Sequence, residues 1–219
     1  MFNIRTPLRQ YFKISALSAM CLLFPGIAHA EFLMFPIIHE VTGVADDDVL
    51  NVRIEPNAGA YDIGDLLPHA QVEVTAIDDS GKWARIQWNG EDGWIARRYL
   101  VEVERLGDEF SGMPVDLLCT GTEPFWAADI TSDAQFSFAE LGDEADWMPV
   151  ANSVMSTNMY RSNYAFDTAK FTGLLRRAEC SDGMSDMTYG WALDLLEKGA
   201  GPRLLSGCCR TMLVNQNRY

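Results

Sequence analysis

Two adjacent cysteines, Cys208 and Cys209, sit near the end of a 219-residue chain in the run LLSGCCR. They constrain the fold more than any other feature. Neighbouring side chains on one strand point to opposite faces, so on a strand these two thiols reach different partners. A bridge between them is strained, because disulfides favour Cα separations of about 5.5–6 Å. The other cysteines are Cys21, Cys119 and Cys180.

The N-terminus decides how many of these count. MFNIRTPLRQYFKISALSAMCLLFPGIAHA carries Arg5, Arg9 and Lys13 and no acid, then an apolar run broken by Pro25 and Gly26, then Ala28-His29-Ala30. This order of charged, apolar and small residues is that of a secretory signal peptide. The expectation is a signal peptide at 1–30, cleaved at Ala30-Glu31, and a periplasmic product with no stable membrane insertion after cleavage. Cys21 leaves with the signal. Four cysteines remain in an oxidising compartment, which favours disulfides and allows three connectivities. Metal binding is not expected. A tetrahedral zinc site wants spaced ligands, often as CxxC pairs, whereas these spacings are 61, 28 and 1, and no histidine follows His69.

Without the signal the chain has 14 basic and 31 acidic residues, a formal charge of −17. That argues against nucleic acid and anionic membranes, which attract basic surfaces.

Residues 40–102 read as short alternating strands separated by turn residues. "EVTGVA" (40–45), "DVLNVR" (48–53), "QVEVTAID" (71–78), "KWARIQW" (82–88) and "WIARRYLV" (94–101) are the strands. Residues 54–70 hold Pro56, Asn57, Gly59, Gly64 and Pro68 and read as a loop, with DSG (79–81) and NGEDG (89–93) as tight turns. Asn51-Val52-Arg53 followed by Pro56, and Gly93-Trp94 with Tyr99-Leu100, resemble the bacterial SH3 domain (SH3b). The resemblance implies a small barrel and, as partner, peptidoglycan or an envelope protein or peptide. Aromatic side chains on a shallow groove suit extended peptide. Tyr61, Trp83 and Tyr99 are the aromatic candidates; Trp88 and Trp94 are assigned to the core. Asn51 and Arg53 are expected to hold the adjoining loop, with ligand contact as the alternative.

Residues 103–114 are polar, contain two glycines and a proline, and read as a linker; 31–39 is a short N-terminal segment. Residues 115–219 carry period-two patterns in FWAADI, QFSFAEL and YGWALDLL, and the last fits a strand between turns. The fold class is mainly β: a small SH3-like barrel plus a second, disulfide-stapled β-rich domain. Cys119 with Gly121-Thr122-Glu123-Pro124-Phe125-Trp126, Cys180 to Asp186 with Tyr189, and Gly207-Cys208 resemble a family of uncharacterised bacterial envelope proteins and lipoproteins. That resemblance implies an envelope location and the pairing Cys180–Cys208 with Cys119–Cys209. The swapped pairing, Cys119–Cys208 with Cys180–Cys209, stays open. Each staple would contribute on the order of 3–4 kcal/mol by loop entropy.

No catalytic set emerges. The only histidines after the signal, His39 and His69, lie outside the second domain, and nothing selects a carboxylate pair. Glu123 and Asp182 fit turn roles. No phosphate loop or cofactor motif is present. The chain is read as a non-catalytic envelope protein whose barrel binds peptidoglycan or a partner peptide. The alternatives are a wall-directed enzyme or inhibitor in the second domain, and a scaffold with no wall binding.

Overall fold

A computed structural model describes residues 35–103, 116–156 and 163–213. The signal stretch 1–30, the cleavage point Ala30-Glu31 and linker residues 104–114 lie outside the described residues. Within them the protein is mainly β, in two antiparallel sheets with one short 3-10 turn.

The first sheet contains β1 (Ile37–Val41), β2 (Leu50–Arg53), β3 (Asp62–Leu66), β4 (Gln71–Ile77), β5 (Trp83–Trp88), β6 (Glu91–Ala96) and β7 (Leu100–Glu102), in the order β3-β2-β6-β5-β4-β1-β7. The alternation in β5 works as its sequence suggests: Ala84, Ile86 and Trp88 are buried, while Trp83, Arg85 and Gln87 are half-buried on the other face. Asn89 and Gly90 both take positive φ, 48° and 93°, and close a two-residue hairpin between β5 and β6. Such turns match the strand twist. Asp78 sets the preceding turn by accepting from the Lys82 and Trp83 amides at 2.9 and 2.8 Å. Val52, Leu66, Val74, Ile86, Trp88 and Ile95 form the barrel core. Gly64 lets the Trp88 indole lie on the backbone; a Cβ there would stand 2.3 Å from its ring.

Three expectations for this half are corrected. The first strand starts at Ile37, inside the segment set apart as 31–39, and pairs Ile37 with Val74 and His39 with Val72; Thr42–Val49 is irregular. The loop assigned to 54–70 contains β3, because Ile63 and Leu66 bury against the core despite the surrounding Gly and Pro. Trp94 is not in the core. Gly93 and Ile95 face inward, so Trp94 sits half-buried on the other face, opposite Arg53 and Arg85.

The second sheet contains β8 (Leu117–Thr122), β9 (Phe125–Ile130), β10 (Gln135–Glu140), β11 (Asp146–Pro149), β12 (Asn152–Met155), β13 (Asn163–Asp167), β14 (Phe171–Cys180), β15 (Tyr189–Glu197) and β16 (Leu204–Thr211). Their order is β11-β10-β9-β8-β16-β15-β14-β13-β12. Phe136 of β10 meets Phe166 of β13 at 5.4 Å and Phe171 of β14 at 5.6 Å between ring centres. Strands far apart in the ladder thus touch through their inner faces, so the sheet wraps around its own core. Trp126 packs flat against two glycines. A Cβ on Gly121 would lie 2.1 Å from its Nε1, and one on Gly207 2.6 Å from its Cζ2.

Cys119 bonds to Cys209, its direct neighbour across β8 and β16. Cys180, at the end of β14, bonds to Cys208 across the intervening β15. The adjacent cysteines therefore hold two different strands.

The barrel's β4–β6 face rests on the second sheet. Glu73 of β4 is 8 % exposed, and its Oε2 accepts from the Thr211 amide at 2.6 Å. Arg85 reaches Glu179 at 2.8 Å. Asp92 accepts from the Thr188 amide and hydroxyl, both at 2.7 Å, and Gln87 donates to the Thr188 carbonyl at 3.2 Å. Gly190 meets the Pro36 ring so closely that a Cβ would lie 2.6 Å from it.

Candidate binding groove on the barrel

With β4–β6 occupied, the accessible concave surface of the barrel lies beside the 42–49 segment. A groove of about 460 Å³ is lined there by Val44, Asp48, Asn51, Arg53, Trp83 and Tyr99, among others. A neighbouring depression of about 540 Å³ shares Trp83, Ala96 and Arg98 with it and adds Lys82 and Arg97.

Each lining group has a structural reason for its position. Asn51, on β2, donates through its amide to Asp62 and, at 3.4 Å, to Asp65, which ties β2 to β3. Arg53 donates to the Ala60 carbonyl at 2.8 Å and so holds the 54–61 turn. Trp83 begins β5 on the half-buried face. Tyr99 ends the 3-10 turn Arg97–Tyr99, and the Arg98 guanidinium lies 4.7 Å above its ring while donating to its hydroxyl at 3.0 Å. This stacking fixes a flat aromatic surface with a positive charge on it.

Four of the five residues singled out in the sequence thus share one groove: Asn51, Arg53, Trp83 and Tyr99. Tyr61 does not line it; its side chain stands 77 % exposed on the 54–61 turn. Sequence reasoning missed the cations Lys82, Arg97 and Arg98. The signal was present, since Lys82 precedes Trp83 and Arg98 precedes Tyr99. In a chain this acidic, the concentration of basic side chains beside two aromatics makes the groove suited to extended, carboxylate-bearing segments.

Other titrating groups serve the framework. His69 pairs with Glu40 at 2.8 Å. Burial holds the half-buried His39 below the ordinary histidine range. Asp182 is pushed up by burial. Hydrogen bonds from the Ser185 and Met184 amides, the Ser185 hydroxyl and the Tyr189 hydroxyl outweigh this and leave it below the usual carboxylate range. Asp182 therefore organises the turn before β15. Glu123 is exposed in the β8–β9 turn, while Arg176 pairs with Asp194 at 2.7 Å and Arg177 lies over Trp191.

No helix of the described residues is long and apolar enough to cross a membrane. No match is found among curated proteins or among solved structures. Residues 48–101, from the edge of the groove to β7, match the family model of the bacterial SH3 domain, so this part of the chain is similar to that family in sequence.

Proposed function

We propose that this is a non-catalytic envelope protein whose barrel groove holds an extended peptide, in the first instance the stem peptide of peptidoglycan. The observation that carries this reading is the convergence of Trp83, Tyr99, Asn51 and Arg53 with the cations Lys82, Arg97 and Arg98 on one open surface. The match of residues 48–101 to bacterial SH3 domains supports a wall- or peptide-binding role. The two disulfides support an extracytoplasmic location. In this reading the second domain is the platform: it covers the β4–β6 face of the barrel and leaves the groove open.

The test is co-sedimentation of residues 31–219 with isolated sacculi, beside Trp83→Ala and Arg98→Ala variants. Deleting the barrel is a poor control, since it would uncover the surface that receives Glu73. Pelleting of the parent with loss in both variants supports the reading. If the parent stays in the supernatant, wall binding is refuted and a peptide of an envelope partner takes its place.

A further inference from the structure

Three sequence blocks that the groove does not use meet at another place. Thr120 follows Cys119, Tyr189 closes the Cys180–Asp186 block, and Arg210 follows Cys209. All three line one cavity of about 200 Å³, which the barrel closes with Trp88 and Asn89 from its β5–β6 hairpin. This cavity shares no residue with the groove.

Arg210 is the unusual member. It is half-buried, on the β16 face shared with Leu118 and opposite the one that carries Cys209. The other described arginines each hold a carbonyl, a carboxylate, a hydroxyl or an aromatic ring. The Arg210 side chain makes no hydrogen bond or ion pair among the described residues. Its electrostatic neighbour is Glu73, whose Oε2 accepts from the Thr211 amide and whose Oε1 has no hydrogen bond, so the guanidinium does not reach it. Partly burying a guanidinium without an acceptor is costly, although the chain has acids to spare. An acceptor brought by a ligand removes that cost, and the guanidinium fork fits a carboxylate with two hydrogen bonds.

The rest of the cavity narrows the chemistry. The Thr120 hydroxyl and the Asn89 amide offer neutral hydrogen bonds, and Met187 and Trp88 supply apolar wall. The acidic chain and the nearby Glu73 disfavour a polyanion. We propose that this interdomain cavity is a binding site for a small monocarboxylate bearing neutral hydrogen-bonding groups, of the size of an N-acylated amino acid, with Arg210 as its anchor. Because its walls come from both sheets, occupancy would also brace the barrel against the second domain.

The test is a titration of ¹⁵N-labelled residues 31–219 with N-acetyl-L-alanine and, separately, with the neutral N-acetyl-L-alaninamide, followed by backbone amide shifts. The expected result is saturable shifts at Asn89, Thr120 and Arg210 with the acid. The amide should bind at least about tenfold more weakly, the cost of losing one charge-assisted contact. Arg210→Gln should abolish the response with spectral dispersion kept, and Arg210→Lys should retain part of it. If Arg210→Gln does not fold, Arg210→Lys and the acid–amide comparison on the parent decide the question. The inference is overturned if the acid gives no saturable shift at these residues, if acid and amide bind alike, or if the response survives in Arg210→Gln.

Discussion

Glu73→Gln is the most informative single substitution, because one buried carboxyl joins the two sheets. Burial at the interface pushes Glu73 up from its ordinary 4.5 to about 7, while the hydrogen bond from Thr211 and the charge of Arg210 act against that rise. The folded state thus binds the proton more tightly than the unfolded chain. Below pH 4.5 both states are protonated and the shift costs nothing. As pH rises from 4.5 to 7 the unfolded chain releases its proton first, and stability falls; above 7 the loss is complete. With about 1.4 kcal/mol per pH unit, the loss amounts to about 3 kcal/mol. Glutamine keeps a carbonyl for the Thr211 amide and cannot ionise. The variant should match the parent at pH 4.5 and exceed it by up to about 3 kcal/mol at pH 8, for the same linkage reason. His39, held low by burial, gives the opposite slope near its own range, but it is common to both proteins and cancels in the difference. The assay is urea unfolding by tryptophan fluorescence at pH values from 4.5 to 8. A parent–variant difference that does not change with pH would refute the linkage argument, and so would a variant less stable than the parent at pH 8.

Peptide mapping without reductant should find no free thiol among Cys119, Cys180, Cys208 and Cys209. Replacing Cys180 and Cys208 together by alanine should lower unfolding free energy by about 3–4 kcal/mol in urea titrations; an unchanged midpoint would remove the staple from the account. Gly121→Ala should cost about 1–3 kcal/mol by overpacking, since its Cβ meets the Trp126 indole at 2.1 Å, whereas Gly201→Ala, with nothing within 4 Å, should stay within about 0.5 kcal/mol of the parent. Equal effects at the two glycines in thermal melts would contradict the packing described for Trp126.

The period-two strands were legible because apolar residues on the core face alternate with more polar ones on the other, as Ala84, Ile86 and Trp88 alternate with Arg85 and Gln87 in β5. Strand β3 was hidden because its burial is tertiary: Gly64 reads locally as a loop residue, and only the Trp88 ring explains it. Trp94 misled for a related reason. Size favours the core, but its inward neighbours Gly93 and Ile95 fix the parity. In the groove, the aromatic members could be picked out from the chain, and the flanking cations could have been. The interface could not. Nothing near Glu73 in QVEVTAID distinguishes a solvated glutamate from one buried beneath a second sheet, because its partner Thr211 lies 138 residues away.

The place of β16 has a consequence for biogenesis. It is the last strand in the described sequence and the fifth of nine in its sheet, paired on one side to β15 and on the other to β8, with Cys119 and Cys209 separated by 90 residues. On the proposed route of export, amino end first, the chain would deliver this strand after the other fifteen. Until β16 arrives, the β8–β11 ribbon has no ladder to join, and Cys119 and Cys180 have no native partner. Closure of so non-local a pairing is slow, so on that route the sheet would wait as two unjoined ribbons with two open thiols, on which an oxidising catalyst or a holding chaperone could act.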